Sequence, residues 1–170
     1  MINMEVILTQ NNFEETKNDA KFIYRITTHR RTITETDIVN FVNLVGLHEP
    51  PFIDMEFIKE TMPESHKKRF APAPFLISLG MGLVAPIVMQ VIAKISEKES
   101  LGIFMGMVGV EARVVKPVYP NDTLKVDLEA SVNRKTSKGQ ILVDLRHLLK
   151  NQRDEVVVDF TEKVLFSGEV

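Results

Sequence analysis

Cysteine and tryptophan are both missing from the 170 residues. The first absence removes a disulfide framework, a thiolate nucleophile and any cysteine-based metal site. No large excess of one charge exists either: the formal net charge is -2, and the basic residues are spread along the chain. That distribution gives no footprint for nucleic acid, although a local patch can still meet an anion. Histidine is scarce: His29, His48, His66 and His147 stand far apart, at no metal-ligand spacing. No phosphate-cradling glycine run occurs, and Ser78 has no nucleophile-elbow sequence around it. Residues 1–12 lack a basic stretch followed by a long apolar core, so no export signal is read there and a cytoplasmic location is expected.

What the chain does have is apolar material: 44% hydrophobic against 26% charged residues, enough for one core. A single domain over residues 21–170, preceded by an extension at 1–20, is the expected organisation. One run, residues 75–95, is nearly continuous apolar sequence of about bilayer-spanning length. Ser78, Gln90 and Lys94 interrupt it, Gly80 and Gly82 weaken its helical propensity, and Pro86 falls inside it. A buried core helix, kinked or broken at Pro86, fits better than a membrane span.

Upstream, Thr34 and Asp37 form a capping-box pattern, and Ile38, Phe41, Val42 and Val45 recur at helical spacing. A short helix therefore runs to about Val45 and stops at Gly46. Pro50-Pro51 are expected to deny helix to the residues after them, and Asp54 to cap a further helix from Met55. The polar stretch 62–70 reads as an exposed crossing loop. Downstream, Leu124, Val126, Leu128, Ala130 and Val132 alternate with polar residues, and Ile141, Val143 and Leu145 repeat the pattern with His147 in phase. With turns at Asn121-Asp122, Ser137-Lys138-Gly139 and residues 151–154, this predicts an antiparallel meander ending over residues 156–166. An earlier strand is placed at 22–27. In-phase His147 is expected to be a satisfied, partly buried histidine.

Four separated segments carry a resemblance: Arg31-Thr32-Ile33-Thr34-Glu35-Thr36-Asp37-Ile38-Val39-Asn40-Phe41, then Gly46-Leu47-His48-Glu49-Pro50-Pro51-Phe52-Ile53-Asp54, then Lys116-Pro117-Val118-Tyr119-Pro120-Asn121-Asp122-Thr123-Leu124, and Asn151-Gln152. In order and spacing, over roughly residues 22–166, they resemble the MaoC-like dehydratases, close to the (R)-specific enoyl-CoA hydratases. The resemblance implies an α+β hotdog fold, a long central helix wrapped by a curved antiparallel sheet. It also implies an acyl-CoA ligand; no cofactor is expected, and the residue spacing offers no metal site. A homodimer or higher oligomer is implied, with a hotdog heteromer as the other possibility and no nucleic acid or membrane partner.

In that family the loop reads Gly-Asp-x-Asn-Pro-Ile/Leu-His-x-Asp, and its first Asp and its His handle the protons of hydration. Carried over residue by residue, the Asp position is Leu47 and the His position is Phe52. Neither side chain can take a proton from water or return one to carbon. The family's glycine amide at the thioester oxygen falls on Ala73. His48 and Glu49 are the adjacent imidazole and carboxylate that would have to replace the missing pair; surface polarity is the other reading of both. Lys67, Lys68 and Arg69 are the basic cluster for coenzyme A phosphates, with a solvated surface run as the alternative. Three functions follow: an acyl-thioester protein without the standard hydratase mechanism, a non-catalytic subunit of a heteromer, or a thioesterase or atypical hydratase with a relocated acid-base group.

Overall fold

Period-two alternation in the second half of the chain builds one antiparallel sheet. In a computed structural model, which describes residues 14–18 and 21–168, the strands are β1 (Glu14–Asn18), β2 (Lys21–Thr27), β3 (Arg31–Thr32), β4 (Phe104–Val114), β5 (Thr123–Lys135), β6 (Ile141–Lys150) and β7 (Val156–Phe166). Their order is β1-β2-β5-β6-β7-β4, with β3 paired to the end of β5. Residues 1–12, on which the expectation of no export signal rests, lie outside the described residues.

The in-phase residues bury as their parity demands. Leu124, Val126, Leu128 and Ala130 of β5 are buried, as are Ile141, Val143, Leu145, His147 and Leu149 of β6 and Val158, Phe160, Val164 and Phe166 of β7. Against this face lies the long apolar helix α4 (Ala73–Ser96), which puts Phe75, Leu76, Leu79, Leu83, Ile87, Val91 and Ile95 into the same cluster. Each such side chain contributes about 1.5–3 kcal/mol on burial. One long helix laid on an antiparallel sheet is the hotdog architecture.

Three shorter helices precede it: α1 (Glu35–Val45), α2 (Pro50–Ile53) and α3 (Met55–Thr61). Thr34 caps α1 in a reciprocal box: its hydroxyl accepts the Asp37 amide at 3.1 Å while the Asp37 carboxylate accepts the Thr34 amide at 2.8 Å. The Thr34 amide first, then the Thr34 hydroxyl donating at 2.8 Å, hold the Asp37 carboxyl below its ordinary range. Gly46 closes the helix in the left-handed region at φ 69°, where glycine carries no steric cost. Asp54 caps α3 through the amides of Glu56 and Phe57.

Two expectations fail for proline. Pro50 and Pro51 open α2 instead of preventing it, because the first-turn amides of a helix have no partner and none is lost. Of the kink or break expected at Pro86, the break does not occur: α4 (Ala73–Ser96) is continuous across it. The carbonyl left without its usual amide belongs to Gly82; both residues face outward, where water can bond that carbonyl.

Candidate functional site

Part of the motif loop, through Phe52, packs against the approach to the N-terminus of α4. Leu47 follows the cap glycine and is half-buried, its amide bonded to the Val42 carbonyl at 3.0 Å. Phe52, on α2, packs its ring edge-on against Phe70 with centroids 5.4 Å apart. Phe70 is three residues before Ala73, the first residue of α4. The Ala73 amide makes no hydrogen bond among the described residues, as expected of a first-turn donor. It is a free donor at the positive end of a helix of 24 residues.

His48 and Glu49 are not drawn into this corner. Both are exposed, and neither side chain makes a hydrogen bond among the described residues. They sit on the outward side of the turn between α1 and α2.

The basic cluster divides in three. Arg69 is a clamp: its guanidinium donates to the Phe52 carbonyl and to the Glu35 carboxylate, so it ties α1, α2 and the α4 approach together, and only 14% of its side chain is exposed. Lys67 pairs with Glu64 three residues away, and Lys68 is exposed with no ion pair among the described residues. The crossing segment containing them is therefore not wholly a solvated loop: it includes a 3-10 turn at Glu64–His66 and the partly buried clamp. All three cations border a hollow of about 550 Å³ closed on the far side by the Tyr119-Pro120-Asn121-Asp122 turn.

Asn151, another residue behind the resemblance, serves the β6–β7 turn. Its side-chain oxygen accepts the amides of Arg153 at 2.9 Å and Glu155 at 3.1 Å, and its amide donates to the Glu155 carboxylate at 2.8 Å. That bond first, then Lys116 and Arg153, holds the Glu155 carboxyl down to about 2. Gln152 reaches back to the Asp122 turn, donating to its carboxylate at 2.8 Å.

A second feature escaped sequence reasoning. Between α4 and β7 lies an apolar groove of about 300 Å³, and Glu162 lines it. Glu162 is in phase with Phe160 and Val164, and that parity was the available signal. Its neighbour His147 departs from the expected satisfied, partly buried state. The ring is fully buried and stacked on Phe160 at 4.3 Å, with Nδ1 2.9 Å from the Leu145 carbonyl but Nε2 unpartnered. Burial pushes its pKa down to about 4, since the charged ring would lose its solvation there.

A central helix on an antiparallel sheet, with a motif loop folded against the helix start, defines a hotdog-fold protein. No family model matches the chain. It is 33% identical to the protein MaoC of Klebsiella aerogenes over 117 residues, which is 69% of this chain and 30% of that protein. The chain thus matches less than a third of the length of that relative. The X-ray structure of a monoamine oxidase regulatory protein from Archaeoglobus fulgius superposes with a TM-score of 0.63 at 29% identity, covering 86% of this chain and 90% of that one. Two less identical structures share the fold. The R-hydratase PhaJ1 of Pseudomonas aeruginosa has a TM-score of 0.51 at 23% identity, over 85% of this chain and 81% of that one. The HadBC (3R-hydroxyacyl-ACP dehydratase) complex of Mycobacterium tuberculosis has 0.61 at 16%, over 88% and 98%. The chain belongs to the MaoC-like dehydratase family.

Proposed function

We propose that this chain binds an acyl thioester of the acyl-CoA type at the start of α4 and does not hydrate it by the standard Asp/His mechanism. The observation that carries this reading is the Phe52 corner. At the family's histidine position a phenyl ring packs on Phe70, its carbonyl is held by Arg69, and the exposed His48 and Glu49 point to no replacement. The free Ala73 amide is the donor for the thioester carbonyl oxygen, with the helix dipole behind it. Such a donor polarises a carbonyl but supplies neither a nucleophile nor a proton. Lys68, and Lys67 after exchange of its weak surface pair with Glu64, are the groups for coenzyme A phosphates. Arg69 stays with its two protein partners.

Assembly with a second hotdog subunit is part of the proposal. β4 ends the sheet as an edge strand and exposes Phe104, Met105, Met107 and Val108, flanked by exposed Ile103. An apolar edge of this length calls for pairing or cover. A second copy gives a homodimer. An active homologue gives a heteromer in which this chain contributes binding surface, a reading favoured by the likeness to the two-component HadBC assembly. We assign the protein to the cytoplasm and its fold to a single domain at 21–170.

The test is direct. The purified chain is incubated with crotonyl-CoA and with a saturated acyl-CoA, while double-bond absorbance and thiol release are followed separately and binding is measured by calorimetry. Binding without loss of the double bond and without thiol release is the expected result. Hydration by the unaltered chain, or failure to bind either thioester, refutes the proposal; thiol release moves the assignment to a thioesterase. The double substitution Leu47→Asp, Phe52→His should restore measurable hydration, because the thioester is already oriented.

A further inference from the structure

On the face of the sheet turned away from α4, charges of alternating sign run from strand to strand. Arg25 of β2 donates to the Glu129 carboxylate of β5 at 2.7 Å, and Arg146 of β6 donates to the same carboxylate at 3.4 Å. The Nε and Nη2 of Arg146 then reach the two oxygens of Asp159 on β7 at 3.0 and 2.8 Å. Next in the row is Arg113 of β4, in register with Asp159. It is exposed, and its guanidinium makes no hydrogen bond among the described residues. The row therefore ends on a cation at the sheet's edge. Two residues away on the same face stands an anion. Glu111 is 73% exposed and is engaged by Lys163 in a surface pair, which holds it weakly.

The edge is regular at this point. Both slips of the β4 to β7 ladder come before Val110, and the register is unbroken from Val110 to Val114. The Val115 amide donates to the Val157 carbonyl at 2.8 Å, so Glu111 and Arg113 turn their backbone groups to β7 while Val110, Ala112 and Val114 turn theirs outward. The side chains of those three lie on the helix side, in register with Glu162, Phe160 and Val158, and are exposed. Val110-Glu111-Ala112-Arg113-Val114 is thus complementary to itself when reversed. In an antiparallel ladder between two copies, outward residues oppose outward residues, and the two-fold axis passes through one residue paired with its own copy. An axis at Glu111 or at Arg113 sets like charges against each other, and axes at Val110 and Val114 face both charges with uncharged residues. At Ala112, each Glu111 meets Arg113 of the partner subunit and each Val110 meets Val114 of the partner subunit. The small side chain falls on the axis. We infer that this chain pairs with a second copy of itself along residues 110–114 in antiparallel register about Ala112, joining the two sheets through about six backbone hydrogen bonds and two symmetric ion pairs. The inference rests on the assembly part of the proposed function and selects a second copy over an active homologue. Residues 104–108, beyond the slips, stay outside this ladder.

Analytical ultracentrifugation of the full chain tests this. The unaltered chain should sediment as a dimer. Glu111→Arg and Arg113→Glu should each weaken dimerisation roughly tenfold or more, because both symmetric pairs turn from attraction to repulsion. Mixing the two variants should restore a dimer holding one of each, identified by native mass spectrometry, since every contact then joins opposite charges. Far-ultraviolet circular dichroism establishes that each variant is folded before mixing. The chain has no cysteine, so Ala112→Cys introduces a lone thiol, with the two copies about 5.5 Å apart at Cα and within disulfide reach. Mild oxidation should cross-link it as a dimer, whereas Val108→Cys should stay uncrosslinked. A monomeric unaltered chain, charge variants that dimerise as tightly as it does, folded variants that do not rescue each other, or cross-linking at 108 instead of 112 overturns the inference. Octanoyl-CoA, titrated in parallel, reports the thioester proposal. If it fails to bind while the rescue succeeds, only that proposal falls; if it binds to a monomer, only the pairing falls.

Discussion

Two glycines of α4, two residues apart, should respond to alanine in opposite directions. A Cβ added at Gly80 would lie 2.8 and 2.9 Å from Cε1 and Cζ of Phe160, closer than side-chain carbons tolerate. That ring cannot swing away, because it is fully buried and its other face is stacked on His147. The helix must therefore lift off the sheet, an overpacking cost of about 1–3 kcal/mol. Alanine's better helix propensity returns about 1 kcal/mol of it. At Gly82, an added Cβ meets nothing within 4 Å, and the propensity gain of about 1 kcal/mol stands alone. Gly80→Ala should melt below the unaltered protein and Gly82→Ala above it. The two should be separated by roughly 2–12 °C for a chain of this size. Thermal denaturation at one protein concentration is the assay. Phe160→Leu should make the Gly80 substitution less costly in the double variant, since the two side chains share one space. If Gly80→Ala matches or exceeds the stability of the unaltered chain, the close helix-sheet approach at Phe160 is wrong.

His147 gives a pH prediction. Its pKa is about 4 in the folded chain against an ordinary 6.5, so the unfolded state takes up the proton first as pH falls. The stability associated with the neutral ring is present above pH 6.5 and is lost progressively down to about 4, amounting to about 3 kcal/mol. Glu162, the ionisable group facing it, works the other way. Its raised pKa favours the folded state as it protonates, so it offsets part of the loss. His147→Leu should flatten the acid limb in denaturant unfolding at pH 7 and pH 4.5; an unchanged slope rejects the buried neutral ring. Asn151→Ala should cost about 1–3 kcal/mol in unfolding experiments, because the turn amides of Arg153 and Glu155 lose their acceptor, while thioester binding is unaffected.

Much of the fold was legible because local signals agreed with global burial. The alternation of residues 124–132 and 141–147 gave β5 and β6 with the correct inward faces, and the Thr34, Asp37 and Gly46 signals gave both ends of α1. Proline was misread where its environment decided the outcome: a first-turn position for Pro50 and Pro51, and an outward face for Pro86. The site was legible as a set of positions but not as contacts. Sequence spacing grouped Arg69 with Lys67 and Lys68 as free cations, whereas the Phe52 carbonyl and Glu35, which bind it, are distant in the chain. Glu162 went unnoticed because a lone carboxylate among alternating residues looks like any outward one until the strand's phase is applied.

The bare margin of β4 also bears on how the protein must be handled. Along Phe104–Val114 a row of backbone amides and carbonyls faces solvent beside oily side chains, and the ladder with β7 slips twice near Gly106 and Gly109. Those slips twist the border and blunt it as a template for indiscriminate stacking, yet they do not remove its stickiness. Chains made in excess of whatever normally shields that border are prone to precipitate, and yield should improve when a shielding subunit is co-produced.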